Sequence, residues 1–412
     1  MTAALKERAR GLGRPFRLVQ LSTGISGIGD GLALAAFPLL AAHLTDDPRL
    51  IVGVTIAAQL PWLLVALPAG AVVDRVDRRR LVVTVECARA AVLIVFAVAV
   101  AADQGALAAL LLTVFLIGVG QTLVASASHA VLPEIVDKVD LARANGALFA
   151  TTCATENLIG PALGGLIFAA ATALPFLLDG VSFAVGAVLL AMALPIGRRQ
   201  EGPPTTAQLR GDIAEGFRYF WRTPLLRLLG TMIATLAFCQ AIVFGPLVLF
   251  ALHGLGLSDA GYGVLLGLAA LGNVLGGTVA GRLDDHFGAR LLLPASGLLA
   301  AGAYALCGLA SNLAVAALAL GIEAIAVAIG NVANLTLRQR LIPSELLGRV
   351  GNIVRFFIFG AMPVGALVGG VLVQSFGVRA PFAGAAVLQL VAVAVLGPPL
   401  MRRLSATTVG AA

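Results

Sequence analysis

Three carboxylates, Asp30, Glu156 and Glu323, stand in the middle of long apolar stretches of this chain. An ionisable side chain in hydrocarbon is costly, so each is a candidate for carrying an ion or gripping a substrate. Asp30 lies roughly 20 Å into its apolar run at helical rise, near the midplane of a bilayer. Unpaired at that depth, it can take a proton from one side of a membrane and release it to the other. In the structural alternative it accepts hydrogen bonds from Ser22, Ser26 or their neighbours. Glu156 and Glu323 lie at similar depth, where a carboxylate can hold a proton, attract a cationic substrate, or pair with Arg355 or Arg89. Gln240 follows Asp30 by 210 residues, and with Asn157, Gln121, Asn331 and Asn334 it can line an aqueous path or bind neighbouring helices together. Glu86 and Arg89, three apart on one helical face, are expected to neutralise each other, and Asp179 to serve as a structural hydrogen-bonding group. Other chemistries find little support. The glycine-rich runs lack the lysine followed by Ser or Thr that a nucleotide phosphate and Mg²⁺ require. The cysteines (Cys87, Cys153, Cys239, Cys307) and the four histidines show no metal-ligand spacing. No enzyme activity, metal or cofactor is therefore expected, and a proton gradient is the expected energy source.

The elements that hold these residues are read from composition. Hydrophobic residues make up 59% of the 412, and charged residues only 12%, against about 25% in a soluble domain. The apolar residues come in unbroken runs of about twenty, enough to cross the roughly 30 Å hydrocarbon core as helices. Twelve spans are expected: 17–42, 51–73, 81–102, 106–128, 145–170 and 174–196, then 225–252, 261–282, 290–310, 313–336, 351–375 and 381–400. The fold class is thus an all-α polytopic membrane protein. Its domains are a six-helix bundle over 1–196, a linker over 197–224 and a second six-helix bundle over 225–412. Within the linker, Leu209, Ile213, Phe217 and Phe220 fall on one face of an amphipathic helix suited to a membrane surface. Nearly all connector Lys and Arg residues lie on the side of the N-terminus, with only Arg49 and Arg379 opposite. Both termini should therefore be cytoplasmic in a multi-pass protein of the cell (inner) membrane. The net charge of +7 is explained by this topology, with no nucleic-acid partner. The basic start runs into a full-length span without a cleavage site, so no cleavable signal peptide is expected.

An internal repeat fixes the halves. Gly70, Asp74, Arg75, Arg78 and Arg79 close the second span, and Gly281, Asp285, Gly288 and Arg290 close its counterpart 211 residues later. Gly160-Pro161-Ala162-Leu163-Gly164-Gly165 answers to Gly365-Ala366-Leu367-Val368-Gly369-Gly370, and Pro175-Phe176 to Pro381-Phe382. Such registers describe two parallel, pseudo-symmetric moieties of six helices each.

With these motifs the sequence resembles the major facilitator superfamily over essentially its whole length. Gly70–Arg80 looks like that superfamily's cytoplasmic-loop signature, departing at Asp77, where the pattern has glycine. The second copy keeps Gly288 but has His286 and Ala289 where the pattern is basic. Gly29-Asp30-Gly31, the Phe217–Pro224 stretch, Gln339–Pro343 and Gly348-Arg349-Val350 look more narrowly like the efflux branch that includes macrolide exporters and the enterobactin exporter. The branch pattern is departed from at Ser128-His129. The Gly160–Gly165 run resembles, in degenerate form, the glycine-proline signature of the superfamily's antiporters, which has glycine where Glu156 stands; for Gly160, Pro161, Gly164 and Gly165, helix packing alone is an equal explanation. The resemblance implies two bundles rocking about a central site. It makes the Gly70/Asp74/Arg75/Arg78/Arg79 loop and its Gly281/Asp285/Gly288/Arg290 counterpart a conformational latch. The latch acid Asp74 is expected near Val350, and the charges by themselves would only set orientation. The expected function is export of a small organic molecule, such as a drug, a secondary metabolite or a siderophore, by proton antiport. The partners are that substrate and the lipid bilayer, the working unit a monomer. A proton-coupled importer and a non-transporting sensor or assembly protein on the same fold are the alternatives.

Overall fold

The computed structural model describes residues 12–65, 76–137, 140–194, 206–343 and 346–409, and every regular element among them is a helix. That follows from the apolar runs, since in hydrocarbon a segment must satisfy its own backbone hydrogen bonds. The first half comprises α1 (Gly13–Leu44), α2 (Gly53–Leu64), α3 (Arg78–Ala101), α4 (Leu107–Ile135), α5 and α6 (Leu174–Ala193). Helix α5 is composite: Leu141–Thr152 is α-helical, Cys153–Ile159 is a π-helix and Gly160–Ala170 is α-helical again. Helix α7 (Thr206–Arg222) lies in the expected linker; the second half is α8 (Pro224–Phe244), α9 (Asp259–Leu309), α10 (Leu313–Leu341), α11 (Leu347–Phe376) and α12 (Ala380–Val409).

Ten helices among the described residues are long and apolar enough to cross a membrane. Helix α9, at 51 residues, is two crossings joined at Gly288, whose φ of 70° and ψ of 159° interrupt the helix. Only glycine adopts that backbone region without strain. Helix α2 is apolar and runs toward residues 66–75, which lie outside the described residues. These elements account for the twelve expected crossings. The one-turn helix Pro48–Ile51 before α2 is capped by Asp47, which accepts a hydrogen bond from the Arg49 N–H at 2.9 Å. Hydrogen bonds from the Arg49 side chain hold the exposed Asp47 carboxyl below its ordinary range.

By contact the chain forms two compact units. The first contains the described residues up to Phe37 and those from Leu64 to 194; the second joins Pro38–Leu63 to 206–409. The 38–63 segment goes with the second unit because Val52 is fully buried in a cluster with Ala241 and Ala366, and His43 meets Asp259 at 3.2 Å.

Each unit contains a helix crossing of the same design. In the first, a Cβ on Gly160 would fall 2.6 Å from the Gly31 Cα, and one on Gly164 2.6 Å from the Leu32 carbonyl oxygen. In the second, a Cβ on Gly365 would fall 2.5 Å from the Phe238 carbonyl oxygen, and one on Gly369 would collide with that of Ile242. Backbones approach this closely only where side chains are missing. The repeat seen in the sequence is therefore a repeated α1/α5 and α8/α11 crossing. A triad of Phe37, Phe96 and Phe176 fills the first unit beyond its crossing. In the second, α7 seats Phe220 against Gly230 and Phe357, pairs Glu215 with Arg349, and leaves Phe217 and Trp221 exposed and stacked at 5.5 Å.

Candidate functional site

Asp30 is not unpaired. Arg89, from α3, donates from Nη2 to Asp30 Oδ1 at 2.9 Å and from Nη1 to Glu86 Oε1 at 3.4 Å. Its guanidinium also lies 3.7 Å from the centroid of the Phe183 ring on α6, a cation–π contact strengthened by desolvation. The Arg89 and Glu86 side chains are only 4% and 5% exposed, whereas Asp30 is 21% exposed. The expected Glu86–Arg89 pair is thus one side of a three-membered cluster whose open edge is Asp30. Ser22, weighed as a partner of Asp30, donates instead to the Gly186 carbonyl.

The glycines around Asp30 explain how it gets there. A Cβ on Gly29 would collide with Ser182 and Asp179 of α6, and one on Gly31 would lie 2.7 Å from the Gly160 Cα and 3.1 Å from Pro161 Cδ of α5. With both neighbours stripped of side chains, α1 sinks between α5 and α6 and turns Asp30 toward α3. Gly120 of α4 makes room on the other side, since a Cβ there would fall 2.7 Å from Arg89 Cδ. Asp179 is fully buried, accepts from the Ser182 hydroxyl at 3.4 Å, and keeps its Oδ2 without a hydrogen bond among the described residues. It feels the charges of Asp30, Arg89 and Glu86. The bond from Ser182 is the kind of structural role expected of Asp179, and Phe183, one turn further along α6, cradles the Arg89 guanidinium.

Glu156 and Asn157 sit on the π-helical Cys153–Ile159 of α5. Pro161 supplies no N–H to close an α-turn on Asn157, and the Gly160 N–H reaches back five residues to the Thr155 carbonyl instead. The wider turn rotates Glu156 so that it feels Asp30 and Arg89. Such turns recur at functional sites. Asp30 and Glu86 thus share one guanidinium in the first unit, with Glu156 and Asp179 on the neighbouring helices α5 and α6.

In the second unit Glu323, 1% exposed, accepts from Tyr304 Oη at 3.1 Å and from Gln240 Nε2 at 3.3 Å, both at Oε1. Gln240, the repeat counterpart of Asp30, thus serves another carboxylate. The remaining expected residues are dispersed: Gln121 and Asn157 are half-buried and Asn331 is exposed, while Asn334 is buried and donates to the Leu229 carbonyl at 3.2 Å.

Of the expected latch, Gly70, Asp74 and Arg75 lie outside the described residues. Asp77, the departure from the loop pattern, caps α3 by accepting from the Arg80 N–H at 2.9 Å, and Arg79 donates to the Ala191 carbonyl at 2.9 Å. In the second copy Gly281, Asp285 and Arg290 are exposed, whereas the neighbouring Asp284 is buried with Oδ1 lacking a hydrogen-bond partner among the described residues. The first copy has Val73 at that position, so the repeat offered no hint of Asp284.

Residues 13–408 match the family model described as transmembrane secretion effector. The chain belongs to that family. It is a transporter of the major facilitator superfamily and a multi-pass membrane protein. It is 28% identical over 386 residues to the multidrug efflux pump Tap of Mycobacterium bovis, covering 89% of each chain. It is 25% identical over 388 residues to that of Mycolicibacterium fortuitum, covering 89% of this chain and 91% of the other. Among solved structures, a bacterial homologue of the human lysosomal transporter Spinster aligns with a TM-score of 0.75 at 14% identity, over 95% of this chain and 98% of that one. A bacterial homologue of the iron transporter ferroportin aligns with a TM-score of 0.74 at 17% identity, over 94% and 100%. These structural neighbours share the fold.

Proposed function

We propose that this transporter exports small organic molecules, amphipathic or cationic ones in particular, in exchange for protons by alternating access. The observation that carries the reading is the buried Arg89 guanidinium shared by a buried Glu86 and a partly exposed Asp30. A proton on Asp30 releases Arg89 to its other carboxylates, and loss of that proton restores the pair. A cationic cargo arriving at Asp30 competes for the same charge, so cargo and proton exclude each other there, which is what exchange requires. The relatives named as multidrug efflux pumps support drug-like cargo and the outward direction. The positive-inside distribution supports cytoplasmic termini in the cell membrane, and the repeat supports two six-helix bundles over 1–196 and 225–412 joined by 197–224, working as a monomer without a cofactor.

Everted vesicles containing the protein test the reading. An imposed gradient, acid inside, is expected to drive uptake of a cationic dye such as ethidium, and collapsing the gradient is expected to abolish it. Uptake that persists without any gradient contradicts the exchange. Gradient-driven movement in the opposite direction identifies an importer.

A further inference from the structure

Helix α7 keeps one side turned away from the second unit, and that side is built of two kinds of residue. Phe220 points inward: a Cβ on Gly230 of α8 would fall 2.7 Å from its Cζ, and its ring stacks on Phe357 at 5.6 Å. Gly216 lets α11 come close, since a Cβ there would lie 3.0 Å from Arg349 Cβ, and Glu215 pairs with the same arginine. The apolar face expected from the sequence, Phe217 together with Phe220, is therefore divided. Phe220 serves the seat, while Phe217 stays outside with Trp221, at 47% and 52% exposure, their rings stacked 5.5 Å apart. Arg218 and Arg222, also exposed, follow about 100° further round the helix. Neither takes part in an ion pair among the described residues, and Glu215, one turn from Arg218, is held by Arg349.

The position of α7 says what meets that side. Thr223, extended at φ −97° and ψ 100° ahead of Pro224, turns the chain between α7 and α8. The buried Leu225 and Leu226 then open a membrane span. Trp221 thus stands at the mouth of a crossing, at the end that carries Arg227 and is cytoplasmic by charge. Aromatic side chains at that level belong to the headgroup boundary, which accommodates an apolar ring with a polar rim. Two guanidiniums one turn apart repel each other unless an anion joins them, and a phosphodiester offers each one paired acceptor oxygens. A choline headgroup sets a cation beside its phosphate, whereas a glycerol headgroup leaves the negative charge uncompensated. Rings and arginines side by side on one helix are what an anionic bilayer surface attracts.

We propose that α7 docks the second unit onto anionic phospholipid of the adjoining leaflet, with Phe217 and Trp221 entering the headgroup boundary and Arg218 and Arg222 taking the phosphates. The surface is separate from the exchange at Asp30 and stands or falls without it.

Fluorescence reads the surface directly, because the chain has two tryptophans. Trp62→Phe, which keeps a ring against Phe359, leaves Trp221 as the only indole. The variant is reconstituted in phosphatidylcholine vesicles holding a minor share of phosphatidylglycerol. Bromine, a quencher, is placed high on the acyl chains of one lipid or the other. Trp221 is expected to be quenched at least about two-fold more, per brominated molecule, by phosphatidylglycerol than by phosphatidylcholine. Adding Arg218→Gln/Arg222→Gln should bring that ratio to about one while quenching by the bulk lipid persists. Equal quenching by the two lipids in the Trp62→Phe protein overturns the proposal, and so does a preference that survives the loss of both arginines. A Trp221 that brominated lipid does not reach overturns it too: quenching by aqueous acrylamide then places the face in water, and none places it under protein. Should Trp62→Phe fail to fold, the difference between wild type and Trp221→Phe gives the same reading.

Discussion

The Asp30–Arg89 pair can be weighed by a double-mutant cycle. Arg89→Gln leaves Glu86, Asp179 and Asp30 without the one guanidinium they share, in a site where Arg89 is 4% exposed. Removing one partner of a buried pair costs about 3–5 kcal/mol, and this substitution belongs at the upper end, about 5. Asp30→Asn keeps the shape and an acceptor, and Arg89 retains Glu86 at 3.4 Å and the Phe183 ring. With Asp30 itself 21% exposed, the loss belongs at the lower end, about 3 kcal/mol. If the two residues act on each other directly, the double variant loses less than the sum, by about 2–3 kcal/mol, the upper range for residues in one charge network. The assay is equilibrium unfolding in mixed detergent micelles for the wild type, both single variants and the double. Losses that add within about 0.5 kcal/mol would show that the pair is not an energetic unit and would refute the reasoning.

Further expectations follow from single contacts. Gly164→Ala pushes a Cβ to 2.6 Å from the Leu32 carbonyl oxygen and should cost about 1–3 kcal/mol in the same unfolding assay. Gly302→Ala, where nothing lies within 4 Å, should be neutral or gain up to about 1 kcal/mol. Asp77→Ala removes the cap of α3 and should lower stability by about 1 kcal/mol, with Asp77→Asn recovering most of it. Tyr304→Phe deletes one of two donors to Glu323 and should cost about 1.5–3 kcal/mol, a loss that disappears in a Glu323→Gln background if the hydroxyl serves only that carboxylate.

What the sequence revealed and what it hid divide along physical lines. Crossing number and repeat were legible because hydrocarbon imposes a length and a composition on every span. The glycine runs were legible as close-contact surfaces, and the structure shows which backbones they meet: Gly160 with Gly31, Gly365 with Phe238. Partnerships between side chains on different helices were not. Asp30 and Arg89 are 59 positions apart, and nothing in either helix alone states that α1 turns its carboxylate toward α3. Gln240 stands at the repeat position of Asp30 yet bonds Glu323, because the repeat preserves the crossing of helices better than the polar groups set into it.

The central claim is that a cargo molecule and a proton compete for the carboxyl cluster of the first unit, and binding in a weakly buffered solution tests it most directly. Purified wild-type protein is mixed with a saturating cationic drug, and the protons set free are counted with a pH indicator. Release is expected on binding, and Asp30→Asn should release measurably fewer protons while still binding the drug. Drug binding with no proton release, or an Asp30→Asn protein that releases as many protons as the wild type, would contradict the account.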